Sequence, residues 1–441
     1  MLEELSKGSF KFFLSGKGMS FRTGRYFLES ALLGAVTGLV TAAFEWMIQG
    51  MDALAGKAGD GMARMLLPAV GAAAGVALIS RFAKVAHARG TDSAVRAFHH
   101  DEDIPRTVIP VKSVASVLTV GCGGSAGYEG PVTLLGAACG RVVTRLLHLD
   151  RRAARILLAA GVGASIAALF RAPLAGAIFG AEIFYSSSDL EYEALLPSFA
   201  ASTVSYTVFA YFWGWEPLFK MPVAPFEKGL HLLPYFVLAL VVTYGARFYI
   251  EVFRWTEGVF GKVRLPLWVK AAVGGIAAGV LAMFVPGVRG AGYDWAQKCL
   301  EAAPSGAGMA AAGMALAVFF VKVVATSFTV GSGGSGGVFA PALVCGCSLG
   351  AAVGTMFDAL LPEWMGIEPA EFALVGMAGL LASAVRVPLT AIVMVAEISD
   401  NHELLMPAMW VCGIAFWLNN GWSLYRSQVH ARESSPVHSR L

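Results

Sequence analysis

The sequence predicts an all-α polytopic membrane protein made of two repeats of broken helices. Hydrophobic residues make up 56% of the 441 residues and charged residues only 14%, whereas soluble domains carry about 25% charged residues. Apolar segments recur along the whole length and are often interrupted by glycine or proline. The order of motifs in the first half returns in the second half. The net charge of +3 is small and dispersed, so no nucleic-acid partner is expected.

Both ends of the chain are basic. In residues 1–26, lysines and arginines alternate with phenylalanines, a mixture typical of an amphipathic helix on a membrane surface and unlike a cleaved signal. Residues 427–441 form a second basic segment. Because cytoplasmic segments of membrane proteins carry an excess of lysine and arginine, both ends are expected in the cytoplasm. The sequence therefore predicts a multi-pass protein of a plasma membrane or bacterial inner membrane.

The first predicted membrane repeat covers residues 27–213. Several of its apolar segments are shorter than the roughly 20 residues that a helix needs to cross a bilayer, and glycine or proline breaks them. Such segments predict discontinuous helices that meet near the middle of the membrane. The segments lie near 27–48, 63–80, 108–120, 132–147, 153–170, 173–186 and 193–214.

The second predicted membrane repeat covers residues 231–426. A proline-rich stretch, 214–230, is expected to connect the two repeats, and residues 427–441 are expected to form a cytoplasmic tail. The pattern of broken apolar segments then starts again. Its segments lie near 231–253, 268–285, 308–330, 337–361, 371–385, 388–399 and 404–420.

The two halves match in polar residues as well as in hydropathy. Residues 111–140 align with 321–350, which places Lys112 on Lys322. A second block places Glu182 on Glu397. Chance agreement between apolar segments would preserve hydropathy without keeping lysine, arginine, proline and glutamate in register. Transporters built from such repeats bind their substrate between the two copies.

Two glycine-rich stretches, 121–132 and 331–342, are equivalent in this alignment. The first contains Glu129, a costly charge in an apolar segment, and the second has Phe339 in its place. Backbone N–H groups at helix N-termini can replace the water shell of an anion, and glycine lets them approach closely. We expect the two stretches to form one anion site. In it the Glu129 carboxylate can occupy the anion position and leave when protonated.

Other interpretations of these residues remain open. The glycines could be notches for helix packing, and Glu129 could be a structural carboxylate paired with Lys112. Lys112 itself could be a lysine that snorkels to the membrane surface. The duplication favours the anion site, because the second copy keeps the glycines and drops the acid. The Gly-x-Gly-x-x-Gly pattern lacks the surrounding strand–helix units of a nucleotide fold.

An enzyme is the alternative from another class. Glu129 could act with His87, His99 or His100, but the chain has no H-E-x-x-H or serine nucleophile motif. We therefore do not expect an enzyme. The six cysteines lack metal-type spacing and are expected to be reduced packing residues. Neither a metal nor a cofactor is expected.

The motifs resemble those of the CLC chloride channel and chloride/proton exchanger family, from about residue 27 to Arg426. Residues 127–131 resemble its G-K/R-E-G-P motif, with Tyr128 in place of the basic residue. Residues 336–341 are similar to its G-x-F-x-P motif. Tyr425 resembles the C-terminal tyrosine whose hydroxyl touches the central anion.

This resemblance implies an all-α homodimer with one pore per subunit, in which the two inverted-topology repeats consist of broken, tilted helices. The protein would move chloride or similar small anions and protons through the lipid bilayer. Glu129 would be the external gating glutamate. Lys112 would make the pore entrance electropositive. The anion would be bound by residues Gly90, Thr91, Gly337, Val338, Phe339 and Tyr425.

Three departures from the family pattern affect these expectations. The G-S-G-x-P motif has no clean counterpart, and Arg89 falls near its selectivity serine, so the order of anion preference is open. Ile183 falls where exchangers carry an internal proton-transfer glutamate. The short stretch after Tyr425 predicts that the nucleotide-sensing domains of many relatives are absent. Chloride/proton antiport is the expected function. A passive chloride-selective channel is the alternative, and a fluoride-specific protein is disfavoured by Phe339 and Tyr425.

Overall fold

The computed structural model describes residues 19–57, 61–83, 90–221, 232–301, 308–362 and 366–438. In these ranges the chain is almost entirely helical, and its only β-type pairings are two isolated bridges. The first half contains the helices α1 (Met19–Gly56), α2 (Met62–Phe82), α3 (Gly90–His100), α4 (Val108–Gly121), α5 (Glu129–Leu146), α6 (Arg151–Phe170), α7 (Pro173–Glu182) and α8 (Tyr192–Trp213).

The second half repeats this order. Short 3₁₀ turns occur at Pro286–Val288 and Arg432–Ser434. The helices are α9 (Leu232–Lys262), α10 (Leu267–Phe284), α11 (Tyr293–Leu300), α12 (Gly308–Gly331), α13 (Phe339–Leu360), α14 (Pro369–Ala384), α15 (Pro388–Ser399) and α16 (Leu405–Leu418).

Eight of the described helices are long and apolar enough to cross a membrane: α1, α2, α6, α8, α9, α10, α12 and α13. Four further apolar helices, α4, α14, α15 and α16, are shorter. Proline at the first position of α7, α14 and α15 favours a helix start there. The predicted all-α polytopic membrane fold is confirmed.

Contacts between the halves follow a two-fold relationship. The Ser116 hydroxyl bonds that of Ser335 at 2.8 Å, and the Ser125 hydroxyl bonds that of Thr326 at 3.0 Å. In the sequence alignment Ser116 corresponds to Thr326 and Ser125 to Ser335, so the two bonds are symmetry equivalents. The equivalent helices α5 and α13 approach each other through their N-termini, as described below. The repeats therefore have opposite orientations, as predicted.

Some glycines serve helix packing, as the alternative interpretation allowed. A Cβ on Gly136 of α5 would lie 2.1 Å from the carbonyl oxygen of Gly161 on α6. The equivalent pair in the second repeat is Gly346 of α13 and Gly376 of α14, with a distance of 2.3 Å. Hence these positions need glycine to bring neighbouring helices into contact. They lie outside the two glycine-rich loops.

The structure differs from the sequence prediction in two short helices. α3 lies between the predicted membrane segments 63–80 and 108–120, and α11 lies between 268–285 and 308–330. Both are short and polar enough to give no apolar run. In addition, α1 and α9 extend beyond their predicted apolar segments to Gly56 and Lys262. Of the predicted connector, residues 222–230 lie outside the described residues.

The segment after α16 is packed against the first repeat. Ser427 donates its backbone N–H to Asp92 Oδ1 on α3 at 3.1 Å. Val429 accepts the backbone N–H of Ser186 at 2.8 Å. Further along, Ser435 is buried and contacts His99 at the end of α3. This C-terminal segment thus ties α3 to the loop after α7.

Candidate anion site

The two glycine-rich loops pair directly with each other. The backbone N–H of Gly127 donates to the Gly337 carbonyl oxygen at 2.8 Å, and that of Gly337 donates to the Gly127 oxygen at 2.7 Å. A Cβ on Gly130 would lie 2.9 Å from the Gly337 Cα. The loops therefore bring the N-termini of α5 and α13 together. The amides of a first helical turn have no partner within the helix and carry the positive end of its dipole.

Glu129, the first residue of α5, is buried at this junction, with 1% of its surface exposed. Its Oε2 accepts the backbone N–H of Ala340, in the first turn of α13, at 3.1 Å. Its Oε1 accepts a short hydrogen bond from the Tyr293 hydroxyl. A Cβ on Gly127 would lie 1.9 Å from Oε2, so glycine at this position leaves room for the carboxylate. The Glu129 carboxylate therefore lies against the N-terminus of α13.

The two equivalent lysines are both buried. Lys322 on α12 donates its Nζ to the carbonyl oxygens of Val288 and Gly290, at 3.0 and 2.7 Å. It also lies near enough to Glu129 for their charges to attract. Lys112 lies on α4 with 2% of its surface exposed. A lysine buried in this way does not snorkel to the membrane surface, which argues against that interpretation of Lys112.

Gly90 and Thr91 form the start of α3 and are buried. A Cβ on Gly90 would lie 1.9 Å from the carbonyl oxygen of Gly130, so the start of α3 lies against the start of α5. Tyr293 is likewise the first residue of α11. Four helix N-termini, those of α3, α5, α11 and α13, therefore surround Glu129 and the paired loops. Arg89 lies outside the described residues.

Val338 and Phe339 lie at the N-terminus of α13 and are almost fully buried. The Phe339 ring packs against Phe170 and Phe179, with ring centroids 5.5 and 5.6 Å apart. The Val338 carbonyl oxygen accepts a hydrogen bond from the Tyr249 hydroxyl at 3.3 Å. These contacts fix the first turn of α13, in which the Ala340 N–H binds Glu129 and Pro341 has no N–H to donate.

Tyr425 is 3% exposed and lies beside an open cleft of about 400 Å³. Its backbone N–H bonds the Ser423 hydroxyl at 3.0 Å. Through Ser427 and Asp92 the same segment is bonded to the start of α3, which places Tyr425 on the α3 side of the site. The cleft is lined by polar and basic residues, namely Ser186, Arg254, Gly421, Ser423, Tyr425, Arg426 and Gln428.

Ile183 is fully buried directly after α7, and its carbonyl oxygen accepts the Gln428 side chain at 3.0 Å. Its side chain cannot transfer a proton. The adjacent Glu182 carboxylate is engaged elsewhere, since it accepts the backbone N–H groups of Leu389 and Thr390 at 2.9 and 2.8 Å.

The two described histidines of the enzyme alternative, His99 and His100, have no hydrogen bond to Glu129. His99 is buried, with Nδ1 2.8 Å from the Ser435 hydroxyl and Nε2 2.9 Å from the Phe184 carbonyl oxygen. Its helix, α3, is not among the apolar helices, and burial lowers the pKa of His99 to about 4. His99 thus ties the C-terminal segment to the protein core. His100 is exposed, and His87 lies outside the described residues.

Two contacts of Glu129 were missed by the sequence analysis. Ala340 acts through its backbone, so its identity carries no signal, although its place within the 336–341 motif could have pointed to it. Tyr293 belongs to a short polar helix and lies 164 residues from Glu129 in sequence. The sequence signal for Tyr293 was its place at a helix start just after Gly290 and Gly292, and this signal for a site residue is weak.

The fold and the converging helix ends define a membrane protein of the transporter and channel class. Residues 70–420 match the family model described as voltage gated chloride channel. The chain belongs to this family and is a multi-pass membrane protein.

The chain is also similar to individual members of this family that carry names. A ClcB-like chloride channel protein of Ralstonia nicotianae is 30% identical over 87% of this chain and 91% of its own length. The H(+)/Cl(-) exchange transporter ClcA of Yersinia pseudotuberculosis is 33% identical over 87% of this chain and 82% of its own length. The crystal structure of a slow cyanobacterial Cl⁻/H⁺ antiporter has a TM-score of 0.81 at 24% identity, covering 91% of this chain and 96% of its own. That similarity concerns the fold.

Proposed function

We propose that the protein exchanges chloride for protons across a bacterial inner membrane, with Glu129 as the gate that both ions share. The observation that carries this proposal is the hydrogen bond from the Ala340 N–H to Glu129 Oε2. A carboxylate held by a helix N-terminus occupies an anion position. On protonation it loses its charge and can give up that position to chloride. The name of the Yersinia relative supports exchange as the transport mode.

The remaining roles follow the same logic. Gly90, Thr91, Gly337, Val338 and Phe339 lie at helix N-termini around the paired loops and would line the anion path through their backbones. The Tyr425 hydroxyl would bind the anion on the side of the basic cleft. Lys112 would add positive potential. A homodimer is also part of the proposal.

The test is a flux measurement in liposomes that records chloride and pH together. An outward chloride gradient should drive proton uptake in the wild type. Glu129→Gln should abolish proton movement while chloride flux continues, because the amide cannot exchange a proton. Chloride flux without any proton movement in the wild type would instead support a passive channel, which the apolar Ile183 favours. Unchanged coupling in Glu129→Gln would show that Glu129 is not the gate.

A further inference from the structure

We propose that Tyr293 is a positioning residue that latches the Glu129 carboxylate into the anion position and so sets how strongly the gate competes with chloride. The inference rests on the proposed function, because it assigns the gate a fixed hydrogen-bond donor. The Tyr293 hydroxyl donates to Glu129 Oε1 while the Ala340 N–H donates to Oε2. Each carboxylate oxygen thus has its own donor, from a different helix.

The loop that directly precedes Tyr293 is fixed by hydrogen bonds. The helix of Tyr293, α11, begins after Gly292, which has a positive φ of 89°. Just before it, the Gly290 carbonyl oxygen accepts Lys322 Nζ at 2.7 Å and the Ala126 N–H at 3.2 Å. A buried lysine with two carbonyl acceptors fixes this loop against α12, because breaking the contacts would leave a charge unpaired.

The Tyr293 ring is also fixed. It packs edge-on against Phe170, with centroids 6.5 Å apart, and against Phe219, with centroids 5.9 Å apart. Phe219 is itself bonded through its backbone N–H to the Ile398 carbonyl oxygen at the end of α15. The donor is therefore preorganised by parts of both repeats, and Glu129 is the partner that moves.

The consequence is a competition between carboxylate and chloride. The hydrogen bond from Tyr293 stabilises the closed state of the gate only while the Glu129 carboxylate occupies the anion position. The apparent affinity for chloride is proportional to the fraction of molecules whose site is open. Removing the phenol hydroxyl should therefore raise the open fraction and strengthen apparent chloride binding. A net hydrogen bond to a charged group corresponds to about 10- to 150-fold in affinity.

The experiment compares chloride binding by calorimetry in the full-length wild type, Tyr293→Phe, Glu129→Ala and the double variant, all at one neutral pH. Tyr293→Phe should bind chloride about 10- to 150-fold more tightly than wild type. In the Glu129→Ala variant, the Tyr293→Phe substitution should not change the affinity for chloride, because the carboxylate that Tyr293 binds is absent. Tyr235→Phe is the matched control. It removes a buried phenol that donates to a glutamate, Glu371, at 3.3 Å between α9 and α14, and it should bind chloride like wild type.

Three results would overturn the latch. The first is chloride binding by Tyr293→Phe that is unchanged or weaker than in the wild type. The second is that Tyr293→Phe strengthens chloride binding as much in the Glu129→Ala variant as in the wild type. The third is weaker chloride binding by the double variant than by Glu129→Ala. The last would assign the hydroxyl to the anion instead of to the gate. Chloride efflux from liposomes provides a second measurement, and its rate should rise in Tyr293→Phe.

The failure of the latch is distinguishable from failure of the proposed function. If Glu129→Ala leaves proton coupling intact, Glu129 is not the gate, whatever Tyr293→Phe does. If Glu129→Ala uncouples transport and Tyr293→Phe behaves like wild type, the gate stands and the latch is wrong.

Discussion

Glu182 and Glu397 are equivalent residues of the two repeats, and each carboxylate caps the helix that carries the other. Glu182, at the end of α7, accepts the N–H groups of Leu389 and Thr390 in the first turn of α15. Glu397, on α15, accepts those of Leu174 and Ala175 in the first turn of α7, at 3.0 and 2.7 Å. This reciprocal capping forms a second connection between the repeats. It accounts for the glutamates kept in register by the duplication.

Glu182→Gln should destabilise the protein more than Glu397→Gln. Glu182 is 2% exposed and accepts a third bond from the Thr390 hydroxyl at 2.6 Å, whereas Glu397 is half-buried. Replacing a buried, charged acceptor by an amide weakens all three bonds and should cost about 1–3 kcal/mol. Thermal unfolding in detergent measures the difference. Equal losses in the two variants would show that burial does not set the strength of these caps.

Gly127→Ala should expel the Glu129 carboxylate from its position. The new Cβ would lie 1.9 Å from Glu129 Oε2 and 3.0 Å from the Ala340 Cβ, so the carboxylate must move. We expect fewer protons transported per chloride in liposomes. Gly313→Ala is the control, since a Cβ there meets nothing within 4 Å. Wild-type coupling in Gly127→Ala would mean that the bond to Ala340 is not needed for the gate.

Tyr425→Phe should weaken chloride binding by about 10- to 150-fold, the value of one net hydrogen bond to a charged group. Calorimetric titration with chloride measures this. Tyr206→Phe is a suitable control, because the Tyr206 hydroxyl bonds the Trp215 carbonyl oxygen at 3.3 Å outside the site. If Tyr425→Phe binds chloride as tightly as wild type, the hydroxyl does not bind the anion.

His99 should make the protein less stable in acid. Burial lowers its pKa to about 4 from the usual 6.5, so the unfolded chain takes up a proton before the folded protein does. The stabilisation is complete above pH 6.5 and is lost as the pH falls toward 4, by about 3 kcal/mol in total.

His99→Gln should remove this part of the pH dependence while keeping a donor for the Phe184 carbonyl oxygen. His438 and Glu191 lie near His99 and are unchanged in this variant, so the difference between the two proteins isolates the contribution of His99. Thermal unfolding in detergent across this pH range is the measurement. Parallel curves for wild type and His99→Gln would contradict the assignment.

The sequence predicted the features that depend on local pattern and on duplication. Apolar length located most membrane helices, and the register between repeats located the two glycine loops and the isolated acid, Glu129. Burying a carboxylate in an apolar segment is costly, so Glu129 was conspicuous. The reciprocal caps were visible only as an unexplained match between Glu182 and Glu397.

The sequence alone could not predict the features that depend on tertiary contacts. Ala340 contributes a backbone N–H, which every residue except proline has. Tyr293 reaches Glu129 from another repeat, and its helix, α11, has no apolar run. The helix α3 was missed for the same reason. The N-termini of α3 and α11 belong to the candidate site only because the fold brings them together with the N-termini of α5 and α13.

In the proposed mechanism, the Glu129 carboxylate occupies an anion position at the N-terminus of α13. The most direct measurement is anomalous diffraction from crystals grown in bromide, for the wild type and Glu129→Ala. We predict a bromide peak within hydrogen-bonding distance of the Ala340 N–H in Glu129→Ala and no peak there in the wild type. The absence of bromide at this position in Glu129→Ala, with bromide bound elsewhere in the pore, would contradict the account.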